Sequence, residues 1–262
     1  MSHLVILNYH GIESRENQYD WFPQETPYVL NLSQFESQLD LIQAHSFQTL
    51  SLTEFDAWLE GKESGVDQIV LTFDDGHISH HGYVLPCLKK RKMRGIFLIS
   101  AGLTGQKNFM NWDHLKELVR DGFEIGSHGL SHQPLSDMTH HQLWKELQKS
   151  KTVIEDKLGV KVDSFSVPRG YYQMRIREVA LELGYKFVFT SRFDVNLPGQ
   201  DRYRLNRIAI KRITSNKNFL RFVSGNLGFK RTIEKMKEGA RRFIKPSFYD
   251  VLADLKRKYQ NG

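Results

Sequence analysis

The sequence predicts an α/β fold, a distorted or incomplete (β/α)7 barrel carrying a basic, helical C-terminal extension. Three observations lead there. Short apolar runs alternate with amphipathic stretches from the first residues onward, the pattern of a parallel sheet with crossover helices. About seven such runs occur, the number of strands in a barrel or an incomplete one. Charge and pattern both change near Asn216, which divides the chain into an expected barrel over residues 1–215 and an extension over 216–262.

Taken in order, residues 4–9 read as a strand. Residues 33–44 read as a helix with Ser33 as N-cap and Phe35, Leu39 and Ile42 on one face. A shorter helix follows over 53–60, a strand over 69–73 and a helix over 83–92. Strand 95–100, helix 112–120 and strand 123–126 come next, then the longest helix, 141–157, and strand 162–167. Helix 175–183 is closed by Gly184, and strands over 185–190 and 205–210 complete the barrel.

Composition narrows the class. With 262 residues, 40% of them hydrophobic, the chain can bury a sizeable core. No run reaches the roughly 18 apolar residues of a spanning helix. The opening MSHLVILNYHGI lacks a basic leader and a small-residue cleavage site, so cytoplasmic residence is expected. The single cysteine, Cys87, excludes an internal disulfide and any multi-cysteine metal site, and YVLPCLKK places it in the core. The net charge of +7 is uneven: residues 203–262 hold 16 Lys or Arg against 4 Asp or Glu, a balance of +12, which leaves −5 for the remainder. Such a basic segment fits an acidic glycan, an anionic lipid surface or nucleic acid, and no nucleic-acid module accompanies it.

The chemistry gathers at two places. In IVLTFDDG, Asp74 and Asp75 stand side by side at the end of a strand, where barrel enzymes carry their reactive groups. Neighbouring strand residues point to opposite faces, so the two carboxylates need not share one environment; a solvated Asp-Asp-Gly turn is the plainer reading. In EIGSHGLSHQPL, His128 and His132 follow another strand, and Gly126 and Gly129 favour a structured loop over a helix. Two imidazoles and one carboxylate form an N/O ligand set suited to a catalytic divalent metal with an open position. Unrelated loop histidines would read the same way.

In combination, TFDDG at 72–76 and SHGLSH at 127–132 resemble the first two signature motifs of the polysaccharide deacetylases, the NodB-homology carbohydrate esterases. The intervening MNWDHLKELVRDGFEIGSHGLSH is similar to that family throughout, and VILNYHGI is similar to openings in its exopolysaccharide branch. The resemblance covers about residues 4–212. It implies that Asp75, His128 and His132 hold a divalent metal, zinc first, with cobalt, nickel or iron as alternatives. It implies that Asp74 is the general base toward a metal-activated water. The implied substrate is an acetylated amino sugar in a polysaccharide or lipid-linked saccharide.

Two departures from the family pattern matter. In FSVPRGYY the third motif keeps Pro168 and Gly170, but Ser166 or Val167 stands where an Arg is expected; Arg169 is displaced, free to turn toward Asp74 or to bind an acidic substrate group. Tyr171 and Trp112 are candidate substrate-binding residues beside it, with an oxyanion N–H expected near Tyr171. The strand LNRIAIKR lacks the His that the fifth motif normally supplies as general acid, so His10, in NYHG at the same end of the barrel, is the expected proton donor. Asp194 is a weak stand-in for the fourth motif. His80 and His81 are expected to face solvent, and His77 stays open as a pocket residue. Ile233, Met236, Ala240 and Phe243 recur at helical spacing among basic residues, as on a helix packed on the barrel or one lying on an anionic membrane. Alternative activities are an O-acetyl esterase or deformylase, a cyclic-amide hydrolase, or an inactive glycan-binding domain.

Overall fold

Strand β5 is the axis around which the rest is arranged. In the structure, a computed structural model describing residues 3–15, 19, 21, 25–62 and 65–241, the chain opens with β1 (Val5–Tyr9), β2 (Ile12–Glu13), β3 (Leu30–Asn31), α1 (Leu32–Ala44), β4 (Gln48–Thr49) and α2 (Leu52–Leu59). It continues through β5 (Gln68–Asp75), α3 (Leu85–Arg91), β6 (Ile96–Ile99), α4 (Trp112–Arg120), β7 (Glu124–Ser127) and α5 (His140–Leu158). The remainder is β8 (Ser164–Ser166), α6 (Met174–Glu182), β9 (Phe187–Phe189), β10 (Ile208–Ala209), α7 (Asn216–Val223) and α8 (Gly228–Arg241).

The main sheet runs β10-β1-β5-β6-β7-β8-β9, with β4 against the start of β5. Every named pairing in it is parallel. A bridge from Phe189 to Leu205 draws the two outer edges toward each other, so the sheet curls into the barrel-like arrangement expected from the sequence.

The period of two along β5 separates two cores. Ile69, Leu71 and Phe73 join a large cluster with Phe35, Leu88, Leu115, Leu147 and Val179 from the surrounding helices. Val70 faces the other way, into a smaller cluster with Ile6, Leu98, Phe189 and the α2 residues Phe55 and Trp58. Registry then aligns the strand ends: Asp75 pairs with Ile99, Ile99 with Ser127, and Ser127 with Phe165. Loops leaving β5, β7 and β8 therefore open at one rim.

Several expectations shift locally. The cap of α1 is Asn31 rather than Ser33, which lies inside the first turn. The helix expected from residue 83 begins earlier and differently, as a π-type turn over His80–Val84 before α3. Pro86, near the start of α3, has no backbone N–H to donate, which suits the changed hydrogen bonding there. Near Asn216 the chain continues into packed structure: Phe219, Phe222 and Val223 of α7 are buried in the large core. Phe243 and the rest of 242–262 lie outside the described residues.

Candidate metal-dependent active site

Asp75 has a left-handed backbone, φ 78°, followed by Gly76 at φ 84°. Two such residues in succession swing the chain sharply at the end of β5 and aim the Asp75 carboxylate across the rim; the strain falls where the site is, as it commonly does. His128 leaves β7 with its N–H bonded to Ile99 O at 2.8 Å. The loop to His132 is structured, as Gly129 (φ 77°) suggested, and is moored on α5. Glu146 accepts from the N–H groups of Leu130 (2.8 Å) and Ser131 (2.6 Å), and Ser150 Oγ donates to Gly129 O at 2.9 Å. His132 then takes φ 58°.

The three side chains converge. Asp75 Oδ1 lies 3.2 Å from His128 Nε2 and 3.1 Å from His132 Nε2, and the ligand atoms of all three lie within 4.8 Å of one another. Tautomers favour a cation between them. Ser166 Oγ donates to Asp74 Oδ1 at 3.3 Å, so it accepts from His128 Nδ1, which also donates to Ser166 O at 3.2 Å. In that tautomer Nε2 would turn a lone pair toward the Asp75 carboxylate, an arrangement that a cation between them relieves. Buried Asp75 Oδ1 has no hydrogen-bond partner of good geometry, which a metal would supply. Burial acts to raise the Asp75 carboxyl, but His132 and His128 outweigh it and hold it well below the usual range. For His132, burial works downward and is overcome by the Asp75 charge, leaving the imidazole raised.

Asp74 faces the barrel interior and is 2% exposed. Its partner is Arg207, itself 1% exposed, through a bidentate pair: Nη1 to Oδ1 at 2.7 Å and Nη2 to Oδ2 at 2.8 Å. Arg207 is fixed in turn by Nε donation to Thr190 O (2.9 Å) and by Thr72 Oγ1 (3.2 Å). Burial pushes the Asp74 carboxyl upward, yet Arg207 and then His128 prevail and keep it lowered. The guanidinium on Asp74 is thus Arg207 and not Arg169. Arg169 is exposed, sits at φ 57°, and bears on His132 instead. Arg207 lies in LNRIAIKR, the stretch where the family pattern led to the expectation of a histidine. The signal available was an Arg before the apolar IAI, a charge with no reason to enter a core unless paired.

His10 stands at the same rim. Burial lowers its pKa, while the charges of Asp75 and Asp74 act to raise it. Its buried Nδ1 has no hydrogen-bond partner. His80, expected in solvent, is fully buried: its Nε2–H donates to His10 O at 2.7 Å, and burial lowers its pKa to about 4.

Pro168 is buried beside the metal loop, its ring 3.6 Å from where a Cβ on Gly129 would stand. Gly170, φ 75°, passes so close to Ser191 that a Cβ would meet it at 2.6 Å. Tyr171 ends this short turn, half-buried. Trp112 begins α4 and packs on the large core. Asp194, the fourth-motif stand-in, is buried and paired with Arg231 of α8 at 2.8 Å.

Comparison with known proteins agrees with this architecture. Residues 61–188 match the family described as Polysaccharide deacetylase. The Bacillus subtilis protein YxkH is 27% identical over 209 residues, covering 79% of this chain and 71% of that protein. A poly-beta-1,6-N-acetyl-D-glucosamine N-deacetylase of Staphylococcus aureus is 25% identical over 226 residues, covering 79% of this chain and 78% of its own. Among solved structures, the Streptococcus pyogenes deacetylase PplD in complex with acetate superposes with a TM-score of 0.75 at 25% identity, over 85% of this chain and 98% of that one. IcaB from Ammonifex degensii shares the fold, TM-score 0.72 at 24% identity, over 86% and 97%. Over residues 61–188 the chain is thus similar to the polysaccharide deacetylases, and its fold is that of the solved deacetylases.

Proposed function

We propose that this protein is a metal-dependent hydrolase that removes N-acetyl groups from amino sugars in a polysaccharide or lipid-linked saccharide. The observation that carries the reading is the convergence of Asp75, His128 and His132 beside a separately paired Asp74. Asp75, His128 and His132 would hold a divalent ion of the zinc type, which would supply Lewis-acid polarisation of the acyl oxygen and a water of lowered pKa. Asp74, kept ionised by Arg207, accepts the proton of the attacking water. Arg207 also fixes the direction of that carboxylate, because a bidentate pair holds both oxygens in one plane. Ser166 links the two halves, oriented by Asp74 and in turn orienting His128. His10 donates a proton to the departing amine; its lowered pKa makes it a willing donor once protonated. Tyr171, Arg169 and the turn through Pro168 and Gly170 border the substrate on the β8 side. The relatives named as N-deacetylases favour an amide bond over an ester or a cyclic amide.

The direct test combines elemental analysis with amine release from poly-β-1,6-linked N-acetylglucosamine. About one divalent ion per chain, lost together with amine release in a His128→Ala, His132→Ala variant, is the expected result. Full amine release by a protein without metal would sink the reading.

For the basic extension we propose contact with an anionic membrane surface. Arg231 and Lys230 moor the start of α8 to the barrel, the latter 4.2 Å over the Phe222 ring, while Ile233 and Met236 remain exposed. No helix among the described residues is long and apolar enough to cross a membrane. Binding to phosphatidylglycerol vesicles that survives deletion of 228–262 would rule this contact out.

A further inference from the structure

His77 follows the Asp74–Asp75–Gly76 turn, and the reaction proposed above gives it no part. It is 6% exposed. The Ser79 backbone N–H donates to its Nδ1 at 3.1 Å, and Ser79 Oγ lies 2.9 Å from the same nitrogen. Ser79 Oγ is itself held by the Ile12 N–H at 3.1 Å. With Nδ1 accepting, the neutral ring carries its hydrogen on Nε2. Among the described residues no hydrogen bond leaves that N–H, so it is open to water or to a ligand hydroxyl.

The surroundings say what kind of ligand. The Trp21 indole stacks on His77 with centroids 4.1 Å apart, Tyr19 meets it edge-on at 4.7 Å, and Phe109 lies at 6.2 Å. Trp21 is half-buried. Its Nε1–H donates to Glu13 at 3.2 Å, and Glu13 is tied to Arg212. On the far side the indole reaches Gly11, where a Cβ would stand only 2.1 Å from its ring. Trp21 thus bridges the residue after His10 and the residue two beyond Asp75, closing one side of the rim. An apolar ring beside a single fixed donor is how a site recognises a pyranose: C–H groups pack on the ring while a hydroxyl takes the N–H.

We propose that Trp21 and His77 form a sugar-binding wall of this active site, which selects glycan over small acyl compounds. The inference rests on the deacetylase reading for the identity of the sugar, not for the existence of the wall. Gly11 is the built-in probe. Its backbone is not left-handed, so alanine brings no backbone strain there, yet any Cβ must displace Trp21.

The test is calorimetric binding of a β-1,6-linked N-acetylglucosamine pentamer to full-length protein, which needs no turnover, alongside hydrolysis of the pentamer and of p-nitrophenyl acetate. Trp21→Ala and Gly11→Ala are each expected to weaken pentamer binding by about tenfold or more. They should lower kcat/KM for the pentamer, relative to the small ester, by a similar factor. His77→Ala should do likewise, and His77→Gln, which keeps an N–H donor, should recover part of the loss. Gly11→Ala and His77→Gln keep the test open if Trp21→Ala does not fold. Equal losses on both substrates, or pentamer binding unchanged in Gly11→Ala, would overturn the wall. Pentamer bound by the wild type but never deacetylated would instead defeat the deacetylase reading and leave the wall standing.

Discussion

Asp74 and Asp75 are consecutive residues, yet their surroundings are built in opposite ways. Asp75 turns outward on a left-handed backbone and meets two histidines from one short loop, a group left open for a cation. Asp74 turns inward and is held on both oxygens by Arg207, 133 residues away, with 2% of the residue left exposed. One carboxylate has a buried oxygen without a hydrogen-bond partner, and the other is paired to a buried guanidinium. The contrast shows how two like charges coexist at adjacent positions: each has its own counter-charge, and the strand's period of two keeps the counter-charges apart.

The largest expected effect breaks this division on the inner side. Asp74→Asn should retain the metal and lose about 10²–10⁴ in kcat, the usual worth of a positioned general base. Amine release with metal content measured on the same sample decides it; retained turnover would remove Asp74 from that role. Asparagine also tests the pairing, because Arg207 then stays buried against a neutral amide.

Arg207→Met attacks the same pair from the other end. Leaving a buried carboxylate unpaired costs about 3–5 kcal/mol, so thermal unfolding should fall clearly, while Asp74→Asn with Arg207→Met should regain part of that stability and stay inactive. The loss should depend on pH. Asp74 is lowered in the folded protein, so its contribution is fully present above the unfolded carboxylate pKa of about 3.9 and disappears as pH falls through the folded value. The stability gap between wild type and Arg207→Met, measured by denaturant unfolding of metal-free protein, should therefore be widest near neutrality and narrow in acid. A gap constant with pH would mean that Arg207 acts by packing alone.

On the proton-donor side, His10→Asn is expected to lower amide turnover by about 10²-fold. Hydrolysis of p-nitrophenyl acetate, whose leaving group needs no proton, should fall much less. Equal losses on both substrates would assign His10 to positioning.

What was legible in the sequence follows the same division. The convergence of Asp75, His128 and His132 was readable because its parts are local: TFDDG and SHGLSH each sit at a strand end, with four-residue histidine spacing and glycines that declare a loop. Strand and helix order was readable for a related reason, since burial on two faces of β5 imposes a period that the residues display. The inner side was not. Arg207 precedes a two-residue strand, and nothing near it in sequence says which carboxylate it meets; only the pairing of β10 with β1, and β1 with β5, brings it under Asp74. His80 misled for the opposite reason. A His-His pair at a helix start reads as solvent-facing, but the π-type turn rotates His80 inward onto the His10 carbonyl. Both Arg207 and His10 also lie outside the residues that match the family, 61–188.

His80 gives the smallest effect and the sharpest distinction between holding and acting. Its Nε2–H fixes the carbonyl of His10, and its pKa, lowered to about 4 by burial, keeps it neutral through the working range. His80→Leu fills similar volume and removes one buried hydrogen bond, a loss of about 1 kcal/mol. Because the bond is to backbone, His10 keeps its own chemistry but loses its anchor. Amide turnover should fall only severalfold, about 1.4 kcal/mol being needed for each factor of ten. The pH dependence should be unmoved, since the titrating groups are untouched. A shift of the profile would show that His80 exchanges a proton in the reaction, and the inner side of the site would then contain a relay in place of a support.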